Sequence, residues 1–243
     1  MKRKTTFWLL LAWLIPVLGM AQTVAPRAYY TDTDGNYKET ISIDDGQAPL
    51  NVNFRANPDQ MDDWTPSYEW HFRKQDANGG YEELLVRYEE DTDYMFNESG
   101  TFNVVLQTTL INGTDTTELS PETITISIAE SRLEFPNAFS PNDDGTNDVY
   151  QAKQGKDGKD GYRSIVSFHG YIFNRWGQKL FEWTDVSKGW DGTYNGHPVK
   201  EGVYFALIKA KGADGKEYNF RKDVNLLRGH REGSGSDGGS AKE

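Results

Sequence analysis

Oxygen-bearing side chains crowd into the stretch FPNAFSPNDDGTNDVY, residues 135–150 of the chain. They flank a single glycine, Gly145, and are Asn142, Asp143, Asp144, Asn147 and Asp148. Calcium takes six to eight oxygen ligands at about 2.3–2.6 Å, and a glycine lets such a loop fold back so that carboxylates and carbonyls converge. This pattern predicts a calcium site with Asn142, Asp144 and Asp148 as side-chain ligands, and calcium is the one possible cofactor.

The same stretch also suits a sharp turn between strands, or part of a surface that another protein recognises. Short polar side chains such as Asn142 and Asp143 bond nearby backbone N–H groups in turns, and Pro141 and Gly145 are common turn residues. The loop departs from the twelve-residue helix-loop-helix site, because no glutamate follows six residues after the glycine and no helices flank it. The turn and the ion site both stay open from sequence alone.

No residue pattern in the sequence indicates catalysis. None of the four histidines stands in a His-Glu-x-x-His spacing, and the sequence has no Gly-x-Ser-x-Gly elbow or phosphate loop. Without cysteine, thiol catalysis and disulfides are excluded. Adjacent carboxylates such as Glu82 and Glu83 lie on a predicted strand, where successive side chains point to opposite faces. We therefore expect a protein that is not an enzyme and has no catalytic residues, with a small hydrolase built on sandwich loops as the alternative.

The first 21 residues have the three parts of an export signal. A basic start at residues 2–4 precedes an apolar run from Phe7 to Leu18, and small residues follow at Gly19 and Ala21. The run is too short to cross a bilayer core of roughly 30 Å, which requires about 20 apolar residues. We expect cleavage after Ala21, export, and no membrane span.

Charged residues are distributed unevenly along the chain. Residues 22–130 hold 21 Asp and Glu against 6 Lys and Arg, whereas residues 131–243 hold 16 against 17. This asymmetry indicates two modules with net charges of −15 and +1. Loss of residues 1–21 moves the formal net charge from −11 to −14. Nucleic acid is not an expected partner, because phosphate binding requires a basic face.

The elements that position these residues are predicted to be strands throughout. Apolar and polar residues alternate in LNVNFRA, SYEWHFR, GTFNVVLQTTL and ETITISI, and turn-rich pieces separate these runs. The spacing suits a β-sandwich of about 100 residues. The predicted core of the first module consists of Leu50, Val52, Phe54, Tyr68, Trp70, Phe72, Phe102, Val104, Leu106, Ile124, Ile126 and Ile128.

In the second module, two strands are predicted to join at Gly177, with Asn174 to Gly177 as a hairpin turn. Asp214-Gly215 is a hairpin signal between two further apolar runs, so the module is expected to end in a long hairpin. Trp190-Asp191-Gly192 is expected to mark a turn, and Gly202-Val203-Tyr204 the start of that hairpin. Bulky apolar side chains for the first two strands are expected from Tyr171, Phe173, Trp176, Leu180, Phe181 and Trp183.

The first module resembles a PKD domain, an Ig-like sandwich common on microbial surface proteins. The resemblance rests on GQAPLNVNFRA, YEWHF, DYMFNESGTFNVVLQTTLINGTDT and ITISI, and it covers about residues 36–129. The sequence departs from the family at HFRKQDANGGYEELL, where a Gly-Asp-Gly is usual. The resemblance implies an Ig-like fold and leaves a surface glycan or a protein as the possible ligand.

The second module resembles the gliding motility-associated C-terminal domain, the type B sorting signal of the type IX secretion system in Bacteroidetes. The resemblance rests on LEFPNAFSPNDDGTNDVY, GYIFNRWGQKLFEW and GWDGTYNGHPVKEGVYFALIKAKGADGKEYNFRKDVNLLR, from about Leu133 to Arg228. It implies the type IX secretion machinery as a partner and delivery to the cell surface or the extracellular space. The family's signal normally stops shortly after a motif like Val224 to Arg228, whereas a Gly/Ser-rich tail follows here and is expected to be disordered.

The expected organisation is all-β, with two Ig-like β-sandwich domains in tandem after a signal peptide. The parts are a signal peptide (1–21), a PKD-like sandwich (22–130), a sorting sandwich (131–228) and a tail (229–243). The expected function is an exported, non-enzymatic surface or secreted protein with an adhesion or spacer module and a sorting module. The alternative is a structural subunit that assembles by strand addition at an exposed sheet edge.

Overall fold

The structure is a computed structural model that describes residues 22–152 and 161–228. Every helix or strand assigned in these two ranges is a β-strand, which confirms the all-β fold class. The same ranges contain no helix that is long and apolar enough to cross a membrane. The predicted signal peptide and the predicted disordered tail lie outside the described residues.

The first half of the chain forms two facing sheets. Its strands are β1 (Thr23–Val24), β2 (Arg27–Thr31), β3 (Tyr37–Thr40), β4 (Ser42–Gly46), β5 (Leu50–Arg55), β6 (Pro58–Asp59), β7 (Thr65–Gln75), β8 (Tyr81–Arg87), β9 (Asp91–Phe96), β10 (Gly100–Asn112), β11 (Asp115–Glu118) and β12 (Glu122–Ile128). One sheet has the strand order β4-β12-β10-β7-β8, with β11 also paired to β10, and the other has the order β3-β2-β5-β9. Strands β1 and β6 form a separate two-stranded ribbon.

The core of the first module lies between these sheets and is aromatic at its centre. The ring of Phe54 lies 5.9 Å from Trp70, 5.5 Å from Phe72 and 6.5 Å from Phe96, measured between centroids. All four side chains are at most 1% exposed, and burying an apolar side chain of this size contributes roughly 1.5–3 kcal/mol. All twelve residues predicted for this core are buried. The alternation identified them because a strand with one dry face must place every second side chain on it.

The second half of the chain forms one larger sheet with short strands around it. Its strands are β13 (Arg132–Leu133), β14 (Ala138–Phe139), β15 (Tyr162–Arg163), β16 (Ile165–Phe173), β17 (Lys179–Trp183), β18 (Thr193–Tyr194), β19 (His197–Pro198), β20 (Gly202–Gly212) and β21 (Glu217–Leu226). The sheet has the order β14-β21-β20-β16-β17, and β13-β15 and β18-β19 form two ribbons. The long terminal hairpin is confirmed as β20 and β21, where the N–H of Gly215 donates to the carbonyl of Gly212 at 3.0 Å.

One face of this five-stranded sheet is covered mainly by loops and short strands. Phe139 contacts Trp190 and Tyr150, with ring centroids 5.4 Å and 5.9 Å apart. On the sheet itself, Trp183 lies over Gly170, where a Cβ atom would come within 2.5 Å of the indole ring. A glycine is therefore required at position 170. The sheet and its cover together enclose a second hydrophobic core, separate from the first.

Direct contacts join the two modules. The N–H of Ala48 donates to the Ser164 hydroxyl at 3.3 Å, and the N–H of Ser99 donates to the carbonyl of Ala213 at 3.1 Å. Ala213, at the tip of the terminal hairpin, is 8% exposed and packs with the core of the first module. The junction thus includes one backbone–backbone hydrogen bond, one hydrogen bond from the backbone to a hydroxyl, and apolar packing.

Candidate recognition site at the loop end of the second module

Three segments meet at one end of the second module, and we call this region the loop end. It consists of residues 140–148, 174–178 and 190–201, together with Arg228 where β21 leads out of the sheet. The predicted calcium loop, the predicted hairpin turn and the Trp-Asp-Gly turn all lie here. The loop end is therefore the part of the module in which the sequence motifs come together.

The Asp148 carboxylate organises the segment 140–148. Its two oxygens accept hydrogen bonds from the backbone N–H groups of Asn142 at 2.9 Å, Asp143 at 2.9 Å and Gly145 at 2.8 Å. Desolvation alone would raise the pKa of Asp148, but these backbone donors outweigh it and hold the pKa below its ordinary value of 3.8. Asp148 therefore acts as the internal acceptor around which the loop folds.

Asn142 and Asp144 also bond within the loop. The Asn142 amide donates to the Asp144 carboxylate at 2.9 Å, and the other Asp144 oxygen accepts the N–H of Thr146 at 2.7 Å. Asp143 and Gly145 take positive φ angles of 62° and 80°, which turn the chain back on itself. The structure thus brings the three predicted ligands into one loop, in the arrangement expected of turn chemistry.

Within the described ranges, no group of three or more His, Cys, Asp or Glu residues is placed to hold a metal ion. Calcium would need the side-chain oxygens of Asn142, Asp144 and Asp148. In the structure these oxygens accept hydrogen bonds from backbone or side-chain N–H groups of the loop. Calcium binding by Asn142, Asp144 and Asp148 stays a prediction.

Arg228 connects two of these segments, residues 140–148 and 190–201, to the end of β21. Its guanidinium group donates to the carbonyls of Pro141 at 3.2 Å, Gly192 at 3.3 Å and Val199 at 3.2 Å. Its own N–H donates to the Glu201 carboxylate. Because an arginine carries several N–H donors in a fixed plane, one side chain can satisfy carbonyls from separate loops.

The Trp-Asp-Gly turn is a structural part of the loop end. Trp190 is fully buried, and its indole N–H donates to the carbonyl of Thr193 at 2.8 Å. The Asp191 carboxylate accepts both the N–H and the hydroxyl of Thr193, at 2.9 Å and 2.7 Å. Gly192 has a φ of 79°, and a Cβ there would approach Pro141 to 3.0 Å. This turn therefore needs a glycine both for its backbone conformation and for close packing.

The turn at residues 174–178 is confirmed between β16 and β17. The Asn174 side-chain oxygen accepts the N–H groups of Trp176 and Gln178, each at 3.0 Å, and Gly177 has a φ of 78°. The prediction that Trp176 contributes to the strands is wrong, because it lies in this turn with 76% of its surface exposed. The Arg175 guanidinium lies 4.4 Å from the centroid of the Trp176 ring.

A groove of about 470 Å³ runs between this turn and the segment 199–204. Its lining is mixed: the exposed indole of Trp176 borders apolar residues such as Val199 and polar residues such as Gln178. The groove and the Arg228 contacts were not predicted from the sequence. The one available signal was the position of Arg228 at the end of the Val224 to Arg228 motif.

Taken together, the fold and the loop end define an all-β modular protein whose second module ends in loops that hydrogen bonds connect to one another. Residues 133–222 match the protein-family model described as the CHU_C Type IX secretion signal domain. This match confirms the resemblance noted for the second module, and it indicates export to the cell surface or the extracellular space. None of the curated proteins matches the chain.

Solved structures with similar features are distant. The FN1-FN3 domains of chicken CNTN1 share 9% identity, with 83% of this chain and 78% of that chain covered, at a TM-score of 0.26. A glucan-utilization protein, SGBP-B of Bacteroides ovatus, shares 14% identity over 83% of this chain and 47% of that chain, at a TM-score of 0.24. A tetra-tandem repeat from the extending region of a large adhesion protein shares 11% identity over 85% and 68%, at a TM-score of 0.25. Similarities at this level carry no argument about this chain.

Proposed function

We propose that this chain is a non-enzymatic surface or secreted protein in which the second module is the sorting signal and the first module is an adhesion or spacer unit. The observation that carries the proposal is the family match over residues 133–222, which covers the five-stranded sheet up to residue 222 of β21 and the loop end apart from Arg228. The proposed partner of the second module is the type IX secretion machinery.

The arrangement of the loop end supports a role in recognition. Residues from segments far apart in sequence are held in one rigid arrangement by Arg228 and by buried Trp190. A partner protein that recognises a folded surface binds preorganised loops more tightly, because ordering loops on binding would reduce the affinity. The exposed Trp176 beside the groove is the kind of aromatic side chain that is enriched at binding hot spots.

The positions of two histidines support a non-catalytic role. His71 bonds the Glu83 carboxylate at 2.7 Å, and His169 bonds the Glu182 carboxylate at 2.7 Å. Both pairs lie across neighbouring strands of a sheet face, where cross-strand side-chain pairs stabilise the sheet.

A reporter experiment tests the sorting role. A fluorescent protein is inserted between residues 21 and 22, in a host with type IX secretion, and the full chain is compared with a chain truncated after residue 130. The full chain should carry the reporter outside the outer membrane, whereas the truncated chain should stay in the periplasm. Equal export of both chains, or periplasmic retention of both, would refute the proposal. A version that ends at Arg228 serves as a control for the effect of the tail.

Strand addition is the second candidate function, and it rests on β8. This strand forms one edge of its sheet, and it carries the exposed apolar residues Tyr81 and Leu84. Exposed edges with apolar side chains can pair with another chain. Assembly through this edge predicts polymers whose length grows with protein concentration in size-exclusion measurements.

A further inference from the structure

The outer face of the five-stranded sheet carries an apolar stripe. Tyr171 and Phe173 of β16 stand directly opposite Leu207 and Phe205 of β20, so these four side chains form one patch, which we call the outer stripe. Phe205 is 42% exposed, and Val203, two residues before it, is 48% exposed. Apolar patches of this kind, when polar residues surround them, mark interaction surfaces.

Charged residues flank the outer stripe in a fixed pattern. On β17, Lys179 pairs with Phe173 and Glu182 pairs with Tyr171. On β21, Asp223 pairs with Phe205 and Arg221 pairs with Leu207. The sheet therefore carries two adjacent rows, which read Lys179-Phe173-Phe205-Asp223 and Glu182-Tyr171-Leu207-Arg221. Each row has opposite charges at its two ends, and the order of the signs is reversed between the rows.

The ring geometry of the stripe favours a protein surface over a sugar. The rings of His169 and Tyr171 are stacked with centroids 4.4 Å apart, and those of Tyr171 and Phe173 with centroids 6.2 Å apart. Rings stacked on one another along a strand present their edges to solvent. A sugar would stack on an open ring face, whereas a second sheet packs side chains against such edges at a spacing of about 10 Å.

We propose that the outer stripe binds the outer stripe of a second copy of this chain. The two copies are related by a twofold axis that runs parallel to the strands, over the line between β16 and β20. This rotation places Lys179 of each copy opposite Asp223 of the other. It likewise places Glu182 opposite Arg221, and Phe173 opposite Phe205. Both rows are therefore complementary to themselves in charge, and their apolar centres face each other, as an isologous dimer interface requires. Within one copy, Glu182 already bonds Lys179 through one carboxylate oxygen and His169 through the other. Such exposed pairs contribute little, so the contact to Arg221 of the second copy competes with them at small cost.

Sedimentation equilibrium of the chain from residue 22 to 243 tests the proposal. We expect a dimer that dissociates on dilution, and a dissociation constant raised at least about tenfold by Phe205→Asp. The matched control is Leu84→Asp, since Leu84 is 41% exposed on the edge strand β8; it should leave the dimer unchanged. Assembly that is lost with Leu84→Asp and kept with Phe205→Asp would overturn the proposal in favour of strand addition.

Charge reversal gives the sharper test. Asp223→Lys and Lys179→Glu should each weaken the dimer at least about tenfold, because each places like charges opposite one another twice. An equal mixture of the two variants should restore heterodimers at close to the wild-type dissociation constant, because opposite charges then face each other at both positions. A mixture that stays monomeric would overturn the proposal. A wild-type chain that is monomeric at about 100 μM, well above micromolar dissociation constants, would also overturn the proposal. In that case, loss of export in Phe205→Asp would assign the outer stripe to the secretion machinery.

Discussion

Replacement of Arg228 should loosen the contact between residues 140–148 and 190–201 of the loop end, because this one side chain satisfies three carbonyls of these two segments. Arg228→Met keeps much of the apolar stem and removes all three donors to Pro141, Gly192 and Val199. A hydrogen bond to a charged group contributes about 1.5–3 kcal/mol when buried. Arg228 is half-buried, so water can replace part of the lost hydrogen bonding to the three carbonyls. We therefore expect the free energy of unfolding to fall by about 2–3 kcal/mol.

A drop of that size corresponds to about 4–12 °C in Tm for a chain of this length. Urea and thermal unfolding, followed by tryptophan fluorescence, measure the change. If the two modules unfold in separate steps, only the step of the second module should move. Arg228→Lys keeps the charge but has a single donor group, so it should show an intermediate loss.

Arg175→Met is the matched control, since Arg175 lies in the same module and its guanidinium contacts only the exposed Trp176 ring among the described contacts. Its expected cost is below about 0.5 kcal/mol, as for most surface substitutions. If Arg228→Met is as stable as Arg175→Met, water satisfies the three carbonyls equally well, and Arg228 does not hold the loop end together.

Three further predictions concern the loop and the core beside it. The folded pKa of Asp148 lies below 3.8, so its carboxylate stabilises the fold above that pH. This contribution is lost as the pH falls through the folded pKa. The difference in Tm between wild type and Asp148→Asn should therefore shrink in thermal melts run from neutral pH to about pH 3. The calcium hypothesis for Asn142, Asp144 and Asp148 predicts heat of binding and a higher Tm at about 1 mM calcium, lost in Asp144→Ala, whereas a Tm indifferent to calcium and to chelator would leave the loop as a turn. Tyr150 is fully buried and its hydroxyl has no hydrogen-bond partner among the described residues, so Tyr150→Phe should raise the free energy of unfolding by about 1 kcal/mol. Tyr204→Phe, which loses a hydrogen bond from its hydroxyl to a backbone carbonyl, should lower it by about the same amount, and equal effects of the two substitutions would contradict this reasoning.

The sequence predicted the core of the first module well, because the signal there is local. In a strand with one dry face, the residue type at every second position reveals the buried side, as in Val52 and Phe54 or Val104 and Leu106. The same rule was misleading at Trp176. A bulky apolar residue next to an apolar run suggests a strand, but the Asn174 side chain bonds the backbone of the turn and directs the indole into solvent.

The loop end could be predicted only in part, because its contacts are long-range. Arg228 bonds carbonyls that lie 29, 36 and 87 residues away in the chain. Backbone carbonyls carry no sequence signature, so no residue pattern reveals that they point to one arginine. The calcium hypothesis rests on residues that are conspicuous in the sequence, Asp144 and Asp148. Most of the donors that they bond are backbone N–H groups, which every loop possesses, and one is the Asn142 amide.

Charge asymmetry along the sequence indicated two modules, and it gave no sign of how closely they are joined. Asp214, predicted only as a hairpin residue, accepts hydrogen bonds from the N–H and the hydroxyl of Ser131 at 3.1 Å and 2.7 Å, and Ser131 lies in the segment that connects the modules. Its neighbour Ala213 packs with the first core. One end of the five-stranded sheet is thus attached to the first module, while Val203 and Phe205 lie toward the other end of β20 and remain exposed. The second module is attached to the first through the tip of the β20–β21 hairpin and not through the face of the sheet. The outer stripe therefore stays accessible to a second copy.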